Sequence, residues 1–327
     1  MQRVQAELRA RTSFRDAVRI LEGLLPVSPT NHESVRTRTH AVAQRLEAAD
    51  QQAAVAENAA GAAAAASQSI VLLDGAYVCA VPGQQIRNFE VVCGKVEQEG
   101  RPSRHFALVR SVAERPPALL GAALREQGWR EDEPVTAISD GDPALPALVR
   151  SATKGPVEHI LDWFHLSMRV RHVEQAMASV CGLIEPMHGA PLDPVQVDVE
   201  RLRHLLWHGQ QEKASEALNR IASWAADIEL RNGGAVEHAG RLLARCTALR
   251  VYIEANEGAL IDYGQRYRAG KPISTSRAEG TVNHLISARM NKRQQMRWSP
   301  KGDHRVLQVR AAVLDGRFGQ QANHLTA

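Results

Sequence analysis

From Trp163 to Ala269 the chain offers no stretch that alternates as a strand does. Segments such as "WFHLSMRVRHVEQAMASV", "DVERLRHLLWHG", "EALNRIASWAADIELR" and "HAGRLLARCTALRVYIEAN" repeat apolar residues at helical spacing instead. Any sheet must therefore be laid down before this block. The sequence ahead of it supplies the strands. "SIVLLDGAYVCAV" reads as a strand pair, and "IRNFEVVCGKVEQEG" and "RHFALVRSVAE" continue as strands. A helix follows at about 116–128, then the short apolar strand "PVTAISD", a helix from Pro143, and the strand "VEHILD". Three consecutive strands followed by alternating helix and strand predict an α/β fold: a mixed sheet with flanking helices, interrupted by an all-helical insertion.

Residues 1–52 read as all-helical. Phe14, Val18, Leu21 and Leu25 mark one apolar face, Pro26 and Pro29 break that helix, and Thr30 or Asn31 can cap the next. Two helices around a tight break resemble a helix-turn-helix, with Arg36, Arg38 and Arg45 on the second. A small helical bundle with solvated arginines is the other reading. The alanine-rich stretch at 53–68 reads as a connector.

A hydrophobic content of 44% with 23% charged residues excludes a disordered chain. No run of about 18 apolar residues is present, so no membrane span is expected. The N-terminus lacks the apolar core of a secretory signal, and the four cysteines are widely spaced with no CxxC pair. A reduced, cytoplasmic setting is the expectation. The net charge of +4 and pI near 9.0 fit a polyanionic partner.

Three acids fall near the ends of predicted elements. Asp74 closes "IVLLDG", where Asp-Gly also suits a hairpin turn. Asp140 closes "VTAISD", and Asp142, just before Pro143, is assigned to capping the next helix. That leaves Asp140 without a structural task. Glu279 belongs to "STSRAEGTVNHLISARM", whose apolar residues Val282, Leu285, Ile286 and Met290 follow helical spacing. It lies about 60° from Val282 and about 20° from Ile286 around the axis, beside the stripe that should face a core. Ser276 and Glu279 also form an S-x-x-E capping box. If the three acids converge, they repel one another unless a cation neutralises them. Oxygen donors suit Mg2+ or Mn2+, and two such ions serve phosphodiester displacement.

The motifs "VLLDGAYV", "ISDGDPALPALV", "ILDWFHLSMRVRHVEQ" and "STSRAEGTVNHLISARMNKRQQMRWSPKGDHRVLQVRAAVLDG" together resemble DDE transposases of bacterial insertion sequences, in particular the ISKra-type group. The resemblance covers roughly residues 69–318. It implies an RNase H-like core in two parts, 69–164 and 273–318, around a helical insertion at 165–272, with a tail at 319–327. It implies Asp74, Asp140 and Glu279 as catalytic, metal-binding residues of a two-metal site, and maps a D-x-x-H element onto Asp162 and His165. Helix capping by Asp162 and packing of His165 is the alternative for that pair. Members of this group carry more sequence ahead of the helical region, so the chain is expected to start partway along such a protein. The implied partners are double-stranded DNA, both element ends and target, and further copies of the chain in a nucleoid-associated assembly. A non-catalytic DNA-binding relative and a nuclease without strand transfer stay open.

Beyond the acids, residues 287–310 hold Arg289, Lys292, Arg293, Arg297, Lys301, Arg305 and Arg310 around Trp298. Basic residues interleaved with an aromatic suit a DNA backbone, and a solvated basic face is the other reading. His204 and His208 share a helix face but lack the glutamate and third ligand of a zinc protease. Trp207 and Trp224 sit among Leu, Ile and Ala, which favours packing over base stacking.

Overall fold

The computed structural model describes residues 2–25, 31–53, 68–131, 133–188, 193–231, 237–276, 280, 285, 286, 290 and 297–317. Packing divides the chain into two units. The first comprises Met1–Ala137, Pro143–Glu158 and Ser276–Ala327, and the second Ile138–Asp142 and His159–Thr275.

A five-stranded mixed sheet organises the first unit: β1 (Ser69–Cys79), β2 (Asn88–Glu97), β3 (Arg104–Val109), β4 (Val135–Ser139) and β5 (Val157–Leu161). Its order is β3-β2-β1-β4-β5, and β1–β2 and β2–β3 are antiparallel. The expected alternation after β3 is present, as α4 (Pro116–Glu126) precedes β4 and α5 (Ala144–Thr153) precedes β5. Pro116 and Pro117 open α4, where their fixed φ helps and their missing N–H groups cost no helical bond. Leu119, Leu120, Ala123 and Leu124 of α4 and Leu145 and Val149 of α5 cover one sheet face, against Val71 and Leu73. Gly94 of β2 is demanded by that sheet: a Cβ there would lie 2.1 Å from the Leu72 carbonyl oxygen.

The opposite face carries Ala76, Val78, Phe89, Val91 and Cys93, as strand alternation requires. Against it pack Leu285, Ile286 and Met290, together with Val306 and Leu307 of α11 (Pro300–Leu314). The expected apolar stripe is therefore seated on the sheet at these three residues. They lie in π-helical turns, wider than the α-helix the spacing predicts. Val282 lies outside the described residues.

Helices α1 (Gln2–Arg11), α2 (Phe14–Leu24) and α3 (His32–Ala53) belong to the same unit. Ala6, Ala10, Ala43 and Leu46 bury against Val309 and Ala312 of α11. The Asn31 side chain accepts the Ser34 N–H at 2.7 Å, the expected cap on α3. The alanine-rich connector, the second capping alternative Thr30, and the tail from 319 fall outside the described residues.

Besides Ile138–Ser139 of β4 and His159–Leu161 of β5, the second unit holds the helices α6 (Trp163–His188), α7 (Asp193–Trp207), α8 (Gln211–Arg231), α9 (Glu237–Ala255) and α10 (Tyr263–Arg268). Leu202, Leu206, Leu218, Ile221, Leu242, Leu249 and Ile253 form its buried faces. Trp207 packs edge-on to Trp163 with ring centroids 4.8 Å apart, and Trp163 in turn meets Tyr263 at 4.9 Å. Among the described residues no helix is long and apolar enough to cross a membrane.

Candidate active site

Asp74 does not end a strand. β1 runs straight through Asp74-Gly75, and Asp74 stands opposite Cys93 of β2. The hairpin reading fails because ladder pairing on both sides of Asp74 overrides the local Asp-Gly turn preference. Alternation places Asp74 on the face of Ala76 and Val78, the face that Leu285, Ile286 and Met290 cover. The side chain is half-buried. Burial first, and then the Asp74 carboxylate, push the Cys93 thiol far above its ordinary pKa, so Cys93 is an inert core thiol.

Asp140 follows β4 directly, and β4 is the neighbour of β1 in the sheet. Its Oδ1 accepts the Asp142 N–H at 3.2 Å, which closes a short turn. The turn passes through Gly141 at φ +92°, a conformation that L side chains rarely adopt. Tyr252 of α9 donates its hydroxyl to the Asp140 carbonyl oxygen at 2.7 Å, and Asn256 packs over Gly141. Asp140 thus has a structural task, closing this turn, that its place at a strand end does not reveal. α5 begins at Ala144 with Pro143 at its cap position, one residue beyond Asp142.

Asp162 is fully buried between β5 and α6. Oδ1 accepts the Phe164 N–H at 2.8 Å, and Oδ2 accepts from the His165 ring at 2.8 Å and from the Thr275 hydroxyl. The Trp163 N–H reaches the Ile273 carbonyl oxygen at 3.0 Å. Asp162 therefore caps α6, the alternative open to it in the sequence, and also bonds Thr275, just ahead of Ser276. His165 is held by its Nδ1 and stays partly exposed at 35%. Burial pushes the Asp162 carboxyl up, but the bonds from His165, Thr275, Ser274 and Phe164 outweigh it and hold the group below the ordinary aspartate value.

A test follows from that balance. Asp162→Ala strands one buried donor, Thr275, and two part-buried ones, Phe164 and His165, at about 1 kcal/mol or more each, so a loss of about 3 kcal/mol is expected at pH 7. The depressed carboxyl stabilises the fold above its unfolded pKa of about 3.9, and that contribution disappears as pH falls through the lower folded value. Urea unfolding of both proteins should therefore converge toward pH 3. A deficit independent of pH would refute the charged-cap account.

Glu279 lies outside the described residues, as do Arg289, Lys292 and Arg293. Among the described residues no three His, Cys, Asp or Glu side chains are gathered as a metal site. His204 and His208 lie with ring centroids 4.5 Å apart, and His208 stands 3.7 Å from Asp262.

The expected DNA contacts divide. Arg36 is exposed and paired with Glu33 at 2.7 Å, whereas Arg38 donates to Gln5 at 2.9 Å. Arg297 and Lys301 are exposed. Trp298 is not: it is 5% exposed, its backbone bridges Ala80, and its ring packs in the sheet-face core. A ring so enclosed cannot stack on a base, so the interleaved-aromatic reading is corrected there. Arg305 pairs with Glu47, and Arg310 is buried with its Nε on the Leu285 carbonyl oxygen. Tyr252, Asn256 and Thr275 are brought to these acids by the fold, and of the three only Thr275 carries a sequence signal, its place in "STSR" ahead of Glu279.

Comparison of the sequence with protein-family models and with curated proteins gives no match.

Proposed function

We propose that the chain is a DDE-type DNA transposase with an RNase H-like core, interrupted by the helical block α6–α10. One observation carries the reading: β1, which bears Asp74, and β4, which Asp140 directly follows, are neighbours in a sheet of order β3-β2-β1-β4-β5. Residue alternation supports a common face, since Val71 and Leu73 of β1 and Val135 and Ala137 of β4 share the opposite one. The seating of Leu285, Ile286 and Met290 on the Asp74 face supports Glu279 as the third carboxylate.

The donors fit a hard divalent cation. Asp74 and Asp140 are half-buried carboxylates, the oxygen donors such a cation takes. Asp74, Asp140 and Glu279 would hold Mg2+ or Mn2+, which, when bound, activates the attacking oxygen and stabilises the leaving one. The chain's own contribution is to fix those carboxylates. The Asp140 turn is clamped by Tyr252, and Asp162 anchors the approach to the Glu279 segment. Water attacks the phosphodiester at an element end, the P–O3′ bond breaks, and a 3′-hydroxyl is released. That hydroxyl then attacks a target phosphodiester, joining the strands and releasing a target 3′-hydroxyl. Assembly on two element ends implies more than one copy of the chain, acting at the bacterial nucleoid.

Incubation with duplex DNA flanking the chain's own gene, in Mg2+ or Mn2+, tests this. Nicking at the element boundary and joining of pre-cut ends to a plasmid are expected. Binding without cleavage in either metal would identify a non-catalytic relative, and cleavage without joining would identify a nuclease.

A further inference from the structure

The fold gives Arg169 no ionic partner. It is exposed on α6, four residues after His165 and seven after Asp162, so helical geometry sets all three on one flank. No carboxylate pairs with it among the described residues, whereas Arg171, two residues on, is paired with Glu174 at 3.2 Å. What holds Arg169 is an aromatic face: its guanidinium carbon sits 3.9 Å from the centre of the Tyr252 ring.

Tyr252 is fixed in turn. Its hydroxyl donates to the Asp140 carbonyl oxygen at 2.7 Å. Burial, above all, pushes that hydroxyl above its ordinary pKa, so it stays a neutral donor. The Arg169 charge and the Asp140 carboxylate both act on it, in opposite directions. One tyrosine side chain thus separates an exposed cation from Asp140, and all of these residues belong to the second unit.

Arg169 and Tyr252 also line an open groove of about 880 Å3 together with Gly141, Ala248 and Asn256. Glu229 lines it too, but against Gly240, where an added Cβ would meet its Oε1 at 3.1 Å. Gly240 precedes Tyr252 on α9 by three turns, roughly 18 Å along the axis. The groove is therefore cationic at its Asp140 end and anionic at the other. A polyanion is drawn to the first and repelled from the second. Stacking occupies the face of the guanidinium and leaves its edge N–H donors for an oxyanion. It also restrains the side chain beforehand, so less freedom is lost on contact.

We propose that Arg169 is a substrate contact of the cleavage site: its guanidinium edge takes a non-bridging oxygen of a phosphate next to the scissile one, on the strand that Asp140 serves. The identity of that strand rests on the transposase reading. Tyr252 then works at both ends, holding the Asp140 turn by its hydroxyl and presenting Arg169 by its ring. Phosphates recur about every 3.4 Å of axis along one strand, so a strand seated at Asp140 carries a neighbour past Arg169.

Fluorescence anisotropy in EDTA tests this, with duplex DNA spanning the boundary of the chain's own gene. Methylphosphonate is placed singly at each phosphate within two nucleotides of the boundary. In the wild type one such position should weaken binding roughly tenfold, as expected for losing a charged hydrogen bond. In Arg169→Gln the same position should cost less than about twofold, and the salt slope should become shallower by roughly 1. Arg169→Lys should keep the slope and recover only part of the coupling, because it keeps the charge and loses the planar fork. Losses that add in full at every position, or an unchanged slope in Arg169→Gln, overturn the proposal. Urea unfolding should leave both variants near the wild type. Should Arg169→Gln unfold, Arg169→Lys decides alone, and coupling equal to wild type there overturns the fork contact. Coupling without cleavage in Mg2+ or Mn2+ sinks the catalytic reading and leaves the contact standing. Cleavage without coupling sinks the contact alone, and neither binding nor cleavage sinks both.

Discussion

Asp140→Asn should cut metal-dependent DNA cleavage by at least about a thousandfold, a barrier increase of roughly 4 kcal/mol. The substitution is clean because the structure separates two jobs of this residue. Its Oδ1 accepts the Asp142 N–H, and an asparagine keeps that acceptor. The Tyr252 hydroxyl bonds the backbone carbonyl, which the substitution does not touch. The turn through Gly141 is therefore retained, and only the negative charge is removed. DNA affinity should stay within about twofold, because backbone binding rests on cations. Asp74→Asn should behave alike, as β1 pairing with Cys93 is backbone pairing. The assay is nicking of end-containing plasmid in Mg2+ and in Mn2+, beside an unfolding curve. Undiminished cleavage by Asp140→Asn would sink the assignment of this carboxylate.

The order of elements was legible because texture carries it. Period-two runs gave way to period-3.6 runs at Trp163, and the fold changes units at His159. What misled was local chemistry that tertiary pairing overrules. Asp74-Gly75 spells a turn, yet β2 pairs across it and draws it into an 11-residue strand. The basic run after Glu279 spells a DNA face. Part of it is instead consumed inside the fold, with Arg305 on Glu47 and Arg310 on the Leu285 carbonyl oxygen. Trp298 follows the same logic, because its backbone bridge to Ala80 carries the ring inward. The clamp of Tyr252 on Asp140 spans 112 residues, and no spacing rule reaches that far.

Arg104→Met should cost about 3–5 kcal/mol at pH 7, the range for removing one partner from a buried ionic cluster. Arg104 is 4% exposed and serves three carboxylates. Nε bonds Glu126, Nη1 meets Asp315 at 2.7 Å, and Nη2 stands 3.4 Å from Asp50. Arg317 is the second cation, 3.1 Å from Asp315 and 3.4 Å from Asp50. The two aspartates respond differently. Burial raises the Asp50 carboxyl despite both arginines. Burial also acts on Asp315, but the bonds from His105, with the Arg104 charge, bring it below the ordinary value. Methionine fills similar volume and leaves three carboxylates facing one arginine. Arg104→Lys should recover only part of the loss, because a point charge cannot fork to three partners. The cost should shrink toward pH 4 as Asp50 protonates and its repulsion disappears. Urea denaturation of the three proteins at pH 7 and pH 4 measures this. A loss below about 1 kcal/mol at pH 7 would refute the network as a structural tie. The consequence reaches the proposed site, since Asp50 belongs to α3 and Asp315 follows α11, the helix that shares its sheet face with Leu285, Ile286 and Met290. Loosening Arg104 should therefore lower cleavage even at temperatures where the variant remains folded, with Asp74 and Asp140 both intact.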